Sequence, residues 1–163
     1  MTRSTFQNPH GLTERGHLST ARDIATIMQA LDNDFADFMH IFTRAFIKLS
    51  TTRTIQHSGH RLIKDYKQAT AVKTGYTRAA GFNGAMLAEK RSDRIIVVVF
   101  GGKSTKTRNA QMVKLAELGF RKLQKWVFQS KSNPLWRMAA PEQQSPSAVS
   151  VLQKTFGVII PAE

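Results

Sequence analysis

Ile95-Ile96-Val97-Val98-Val99-Phe100 is an unbroken apolar run, mostly β-branched, and Gly101-Gly102 closes it. β-branched side chains are stiff at χ1 and fit a pleated surface. Without polar alternation, such a segment reads as a strand buried on both faces. It fixes an expectation for its neighbours. Ala69 to Tyr76 and Gly81 to Glu89 read as two more strands, and Arg94 to Gly101 as the third. Lys90-Arg91-Ser92-Asp93 reads as the hairpin turn between the second and third.

Helical periodicity flanks this core. Ser19 or Thr20 can cap a helix whose apolar stripe is Ala21, Ile24, Ala25, Ile27, Met28 and Leu31. Thr20-Ala21-Arg22-Asp23 has the spacing of a capping box with Asp in place of Glu. After Asp32-Asn33-Asp34, a second helical run from Phe35 to Phe46 carries Phe35, Phe38, Met39, Phe42 and Phe46 on one face, expected to be core. Residues 50–68 are polar and poorly periodic, and read as an irregular connection. A long amphipathic helix is expected from about Thr107 to Trp126, with Gly119 as its weak point or end. Residues 128–163, with Pro134, Pro141, Pro146 and Pro161, read as a loosely ordered tail up to Ala148. The apolar Val149–Ile160 stretch is expected to dock back as a strand or a short helix. No internal repeat is present.

A 163-residue chain that is 41% hydrophobic suffices for one globular domain with its own core. The chain has no cysteine, which excludes disulfides and thiolate metal sites. No apolar run is long enough to span a bilayer, and residues 1–10 contain no stretch of signal-peptide character. The formal charge of +13 favours polyanions in general. No zinc-finger or RNA-recognition spacing accompanies it, so a solvated basic surface is expected rather than specific nucleic-acid binding. His57 and His60 imitate a metal pair but have only Asp65 near them in sequence, so no metal site is expected.

The chemistry rests on Lys73-Thr74-Gly75. The tripeptide alone is weak, but its setting is specific. It lies on a predicted strand and is followed by Tyr76-Thr77 and Ala80-Gly81-Phe82-Asn83, then by the hairpin, the Gly-Gly end and a helix opening near Arg108. Upstream stand Phe6-Gln7-Asn8-Pro9-His10-Gly11-Leu12 and Ser19-Thr20-Ala21-Arg22-Asp23. A cation and a hydroxyl on an exposed edge strand suit a peptide carboxylate. The strand's unpaired backbone groups suit an extended peptide added as a further strand, and Gly75 leaves room for its approach.

This ordered set resembles the D-alanyl-D-alanine carboxypeptidases, the low-molecular-mass penicillin-binding proteins, over roughly residues 2–125. The family carries F-x-N-x-H-G-L, S-T/S-A-R/K-D and K-T-G-x-T-x-x-A-G. The resemblance implies a partial β-lactamase/transpeptidase-like α/β fold over residues 1–127, with about three antiparallel strands flanked by helices. It implies a serine acyl-enzyme hydrolase, without metal or cofactor, acting in the periplasm on peptidoglycan stem peptides that end in D-Ala-D-Ala. Intact relatives are inhibited by β-lactams. It also implies substrate-binding roles for Lys73, Thr74, Gly75, Tyr76 (through its backbone N–H, one arm of an oxyanion hole) and Arg108 (a second carboxylate-binding cation).

Two of the family's motifs do not occur. No serine here has lysine at the third following position, and there is no Ser-x-Asn. Ser50-Thr51-Thr52-Arg53 copies the first spacing with arginine, which cannot serve as a base. The family has both motifs N-terminal to the segment matching Phe6–Leu12, so the expectation is a truncated member: no catalytic residue of its own, one face of the central strand short of cover, and no acyl-enzyme activity. The alternatives are a non-catalytic module binding D-Ala-D-Ala or anionic wall polymer, and a basic nucleic-acid binder. Inside the matched region, Thr70-Ala71, His60-Arg61-Leu62-Ile63 and Asn83-Gly84 depart from the family's Asp-Gly, Asn-x-Leu-Leu and Asn-Leu.

Overall fold

A computed structural model describes residues 1–132 and 157–161. The three expected strands form an antiparallel meander: β3 (Ala69–Thr77), β4 (Gly81–Lys90) and β5 (Asp93–Gly102). They follow β1 (Phe46–Lys48) and β2 (Thr54–Gln56), which form a separate two-stranded hairpin. A last strand, β6 (Gly157–Pro161), pairs antiparallel with β5, giving the order β3-β4-β5-β6. The strand alternative for the docking segment is thus the one observed over 157–161. The expectation of a loosely ordered tail falls mostly on residues outside those described. The β4–β5 turn is tighter than Lys90–Asp93: those two residues still pair, and Arg91 takes φ 60° to close the hairpin.

Both faces of the sheet are covered. Helix α1 (Ala21–Asp34) lies on one, where Ala25 and Met28 pack on Ala71, Ala85, Leu87, Ile96 and Val98. Helix α4 (Thr105–Ser132) lies on the other, where Met112, Ala116 and Phe120 pack on Val72, Met86, Ala88, Ile95, Val97 and Val99. The central strand is therefore buried on both sides, contrary to the expected shortage of cover. Ile95 to Val98 have no solvent exposure, as their unbroken apolar run requires.

Helix α4 starts earlier than the apolar periodicity suggests. Ser104 and Thr107 cap each other: Thr107 N–H donates to Ser104 Oγ at 3.1 Å, and Ser104 N–H to Thr107 Oγ1 at 3.0 Å. This reciprocal arrangement serves two otherwise orphaned amides. The helix also passes through Gly119 without ending there. At α1, Thr20 is the cap, its Oγ1 accepting from Asp23 N–H. Asp23 does not close the box. Its carboxylate instead accepts from Ser4 Oγ at 2.6 Å and Arg3 N–H at 2.9 Å. These bonds tie the N-terminal segment to the helix, and the Ser4 hydroxyl foremost holds the carboxyl below its ordinary range.

Two expectations fail between residues 35 and 68. The run from Phe35 to Phe46 is not one helix. It is a 3-10 turn (Ala36–Phe38), a four-residue helix α2 (His40–Thr43) and then β1. Met39 and Phe42 pack on the α1-side core, but Phe35, Phe38 and Phe46 are exposed. Residues 50–68 are not irregular either. They hold β2 and helix α3 (His60–Asp65), which buries Leu62 against the α4-side core.

Polar ties lock the layers. Arg94 bonds Asp32 of α1 at 2.7 Å and Glu89 of β4 at 2.6 Å. Glu117 of α4 accepts from Tyr66 Oη at 2.7 Å and from Lys90 at 3.2 Å. Burial and the Glu117 partner push the Tyr66 phenol up. Among the described residues, no helix is long and apolar enough to cross a membrane.

Candidate functional site: the outer edge of β3

Lys73, Thr74, Gly75 and Tyr76 occupy the second half of β3, which among the described strands pairs only with β4 and forms the edge of the sheet. A register shift between Ala69 and Ala71 sets the orientation of this half. Ala69 joins the α4-side core and Ala71 the α1-side core, although residues two apart normally share a face. Thereafter alternation holds. Lys73 stands opposite Ala85, on the α1 side. Thr74 stands opposite Gly84, on the α4 side with Val72. Lys73, Gly75 and Tyr76 are exposed while Thr74 is buried. The Tyr76 ring rests on Phe82, its cross-strand partner, with centroids 4.4 Å apart.

Lys73 Nζ donates to its neighbour's carbonyl, Thr74 O, at 2.6 Å. On an antiparallel strand the N–H and C=O of one residue point the same way, and those two residues on repeat the direction. The Tyr76 N–H therefore points to the side on which the Thr74 carbonyl lies.

Arg108 lies across β4 from this edge, in the first turns of α4. Gly101, at φ 70°, bends the end of β5 in the left-handed region that favours glycine. The Asn83 side chain fixes the bend by accepting from Gly101 N–H at 2.9 Å and donating to Gly81 O at 3.1 Å. This bend brings the start of α4 over Asn83 and Gly84. A Cβ at Gly84 would lie 3.2 Å from Arg108 Cδ and 2.8 Å from Met112 Sδ, so the absent side chain is what admits both. The guanidinium bonds the Asn83 carbonyl at 3.4 Å and Asn109 Oδ1 at 2.8 and 3.1 Å.

Arg108 is 3% exposed, and that burial lowers its pKa, yet among the described residues it meets no carboxylate. The ion pairs among the described residues join Lys90 to Glu117 and Arg94 to Asp32 and Glu89, and none involves Lys73 or Arg108. A guanidinium remains protonated at any ordinary pH. Among the described residues, then, Lys73 on β3 and Arg108 behind β4 at Gly84 are two cations without a carboxylate partner. Such an edge suits an anion, and its exposed backbone suits an extended peptide.

The turn before α3 adds residues that sequence reading left in a featureless connection. Ser58 Oγ hydrogen-bonds Thr74 Oγ1. His57 Nδ1 accepts from Gly59 N–H at 3.0 Å, and burial, then Lys73, then His60, lower its pKa. Gly59 is buried in this turn, against Val72 of β3. His60 Nδ1 bonds the His57 carbonyl at 2.9 Å, so these histidines serve the turn. Among the described residues, no three His, Cys, Asp or Glu side chains are grouped to hold a metal ion.

Comparison of the sequence with known proteins finds relatives. The profile of the D-alanyl-D-alanine carboxypeptidase family matches residues 1–104. The chain is 36% identical over 126 residues to D-alanyl-D-alanine carboxypeptidase DacF of Bacillus subtilis, covering 72% of this chain and 31% of that protein. It is 35% identical over 116 residues to DacA of Escherichia coli K12 (71% and 28%), and 34% over 122 residues to DacC of the same strain (74% and 30%). The chain therefore spans between 28% and 31% of the length of these curated relatives.

Proposed function

Because the chain belongs to the D-alanyl-D-alanine carboxypeptidase family, we propose that the outer edge of β3 is the carboxylate-binding half of a serine-type carboxypeptidase site. The substrate is a peptidoglycan stem peptide ending in D-Ala-D-Ala, met in the periplasm. The peptide lies along β3 as an added strand. Thr74 donates its hydroxyl to the terminal carboxylate. The Lys73 ammonium leaves the Thr74 carbonyl to pair with the same group. Arg108 contributes from behind Gly84 as a buried cation in a low-dielectric setting, where its field is strong. The Tyr76 N–H faces the scissile carbonyl as one oxyanion donor.

The observation that carries this reading is Arg108, buried behind β4 with no carboxylate partner among the described residues, one strand in from the edge that bears Lys73 and Thr74. Burying an unpaired charge is costly. A bound carboxylate offsets that cost.

Neither Ser-x-x-Lys nor Ser-x-Asn is encoded in these 163 residues. We therefore assign nucleophile, base and proton relay to polypeptide outside them, and to this chain the positioning of substrate without bond cleavage. Titration with acetyl-L-Lys-D-Ala-D-Ala tests the binding role: Lys73→Ala weakens it about tenfold if a charge-assisted bond is lost, and equal affinities would refute the role. Fluorescent penicillin tests the second part. No covalent adduct is expected on this chain, and an adduct would place a nucleophile within it.

A further inference from the structure

Thr74 has one hydroxyl proton and two lone pairs, and its direction decides whether the residue offers an anion a proton or a lone pair. Ser58 Oγ is bonded to that hydroxyl. Ser58 is exposed while Thr74 is buried. Water can therefore satisfy the serine, whereas Thr74 has few other partners. When Ser58 donates to Thr74 Oγ1, the Thr74 proton is left free for another acceptor. Hydrogen bonds aligned donor to acceptor in this way polarise and strengthen one another.

The backbone, not the serine side chain, sets the position of Ser58. His57 N–H donates to Ala45 O at 2.9 Å, Gly59 N–H to His57 Nδ1 at 3.0 Å, and His60 N–H to His57 O at 2.9 Å. Gly59 is pressed against the strand: a Cβ there would come within 2.7 Å of Val72 Cγ1. Val72 and Thr74 share a face, so seating Gly59 on the first brings Ser58 to the second.

We propose that Ser58 is a positioning residue, which orients the Thr74 hydroxyl as a donor to the peptide carboxylate. This rests on the reading of the β3 edge as a carboxylate site. Ser58 itself does not touch the ligand.

A double-mutant cycle on the 163-residue chain tests it, with acetyl-L-Lys-D-Ala-D-Ala as titrant. Ser58→Ala weakens binding about fivefold, the usual worth of one hydrogen bond. Ser58→Thr, which keeps the hydroxyl, restores it. In a Thr74→Val background, Ser58→Ala has no further effect. Wild-type affinity in Ser58→Ala overturns the inference and leaves the carboxylate site standing. So does an equal loss in both backgrounds, or a change confined to the melting temperature. If the chain with both hydroxyls takes up no peptide, the carboxylate site falls and the role of Ser58 with it.

Discussion

Thr74 and Gly84 stand opposite each other across β3 and β4, and the missing side chain at Gly84 gives Arg108 its place behind β4, the strand next to the one that carries Thr74. The relationship ties a glycine on the neighbouring strand to the proposed site. Gly84→Ala drives a methyl group to 2.8 Å from Met112 Sδ and 3.2 Å from Arg108 Cδ. Met112 is fully buried and can give way only by repacking. The substitution should lower stability by about 1–2 kcal/mol, as modest overpacking does, and weaken peptide binding as well. Thermal unfolding and titration of the same variant check both effects.

Arg108 should separate stability from binding. A buried, unpaired guanidinium is an electrostatic burden, and an apolar residue of similar length removes it. Arg108→Met is expected to leave the melting temperature unchanged or raised while abolishing carboxylate binding. A clear loss of stability would mean that the bonds to Asn83 and Asn109 are what the arginine is for.

Arg94 should behave in the opposite way. It joins β5 to Asp32 of α1 and Glu89 of β4, and Asp32 is 8% exposed with its Oδ2 already lacking a partner among the described residues. Arg94→Ala leaves that carboxylate buried without a cation. Because the Arg94 side chain is 35% exposed, the loss is discounted to about 1–2 kcal/mol from the larger cost of breaking a fully buried pair. Denaturant unfolding gives the value, and peptide affinity should not change.

The pH dependence follows from His57. Burial first, then Lys73 and His60, lower its pKa from 6.5, so the unfolded chain takes up the proton before the folded one. Its contribution to stability is complete above about pH 6.5 and declines as pH falls through the lower native value. Protonation also removes the Nδ1 acceptor used by Gly59 N–H. His57→Gln should flatten the pH profile of the melting temperature below about pH 6.5.

Much of this was legible in the residues. The run Ile95–Phe100 announced a doubly covered strand because no polar side chain interrupts it. Lys73-Thr74-Gly75 was legible through its neighbours. What misled was the 35–46 segment, whose phenylalanines recur at helical spacing although Phe35, Phe38 and Phe46 remain exposed. Periodicity records spacing, not burial. The β1–β2 hairpin was illegible because its three-residue strands are exposed on both faces and show no alternation. α3 was missed because it spans six residues and starts at Gly59 without a side-chain cap. Ser58 could not have been singled out, since its role depends on Gly59 meeting Val72, a contact between separate elements.

Recognition of a carboxylate by the β3 edge, as proposed, is tested by comparing two ligands that differ only in that group. Titration with acetyl-L-Lys-D-Ala-D-Ala and with its C-terminal amide should give saturable binding for the acid and at least a tenfold loss for the amide, from the charge-assisted contacts forfeited. Equal binding of acid and amide, or binding of neither, would contradict the account.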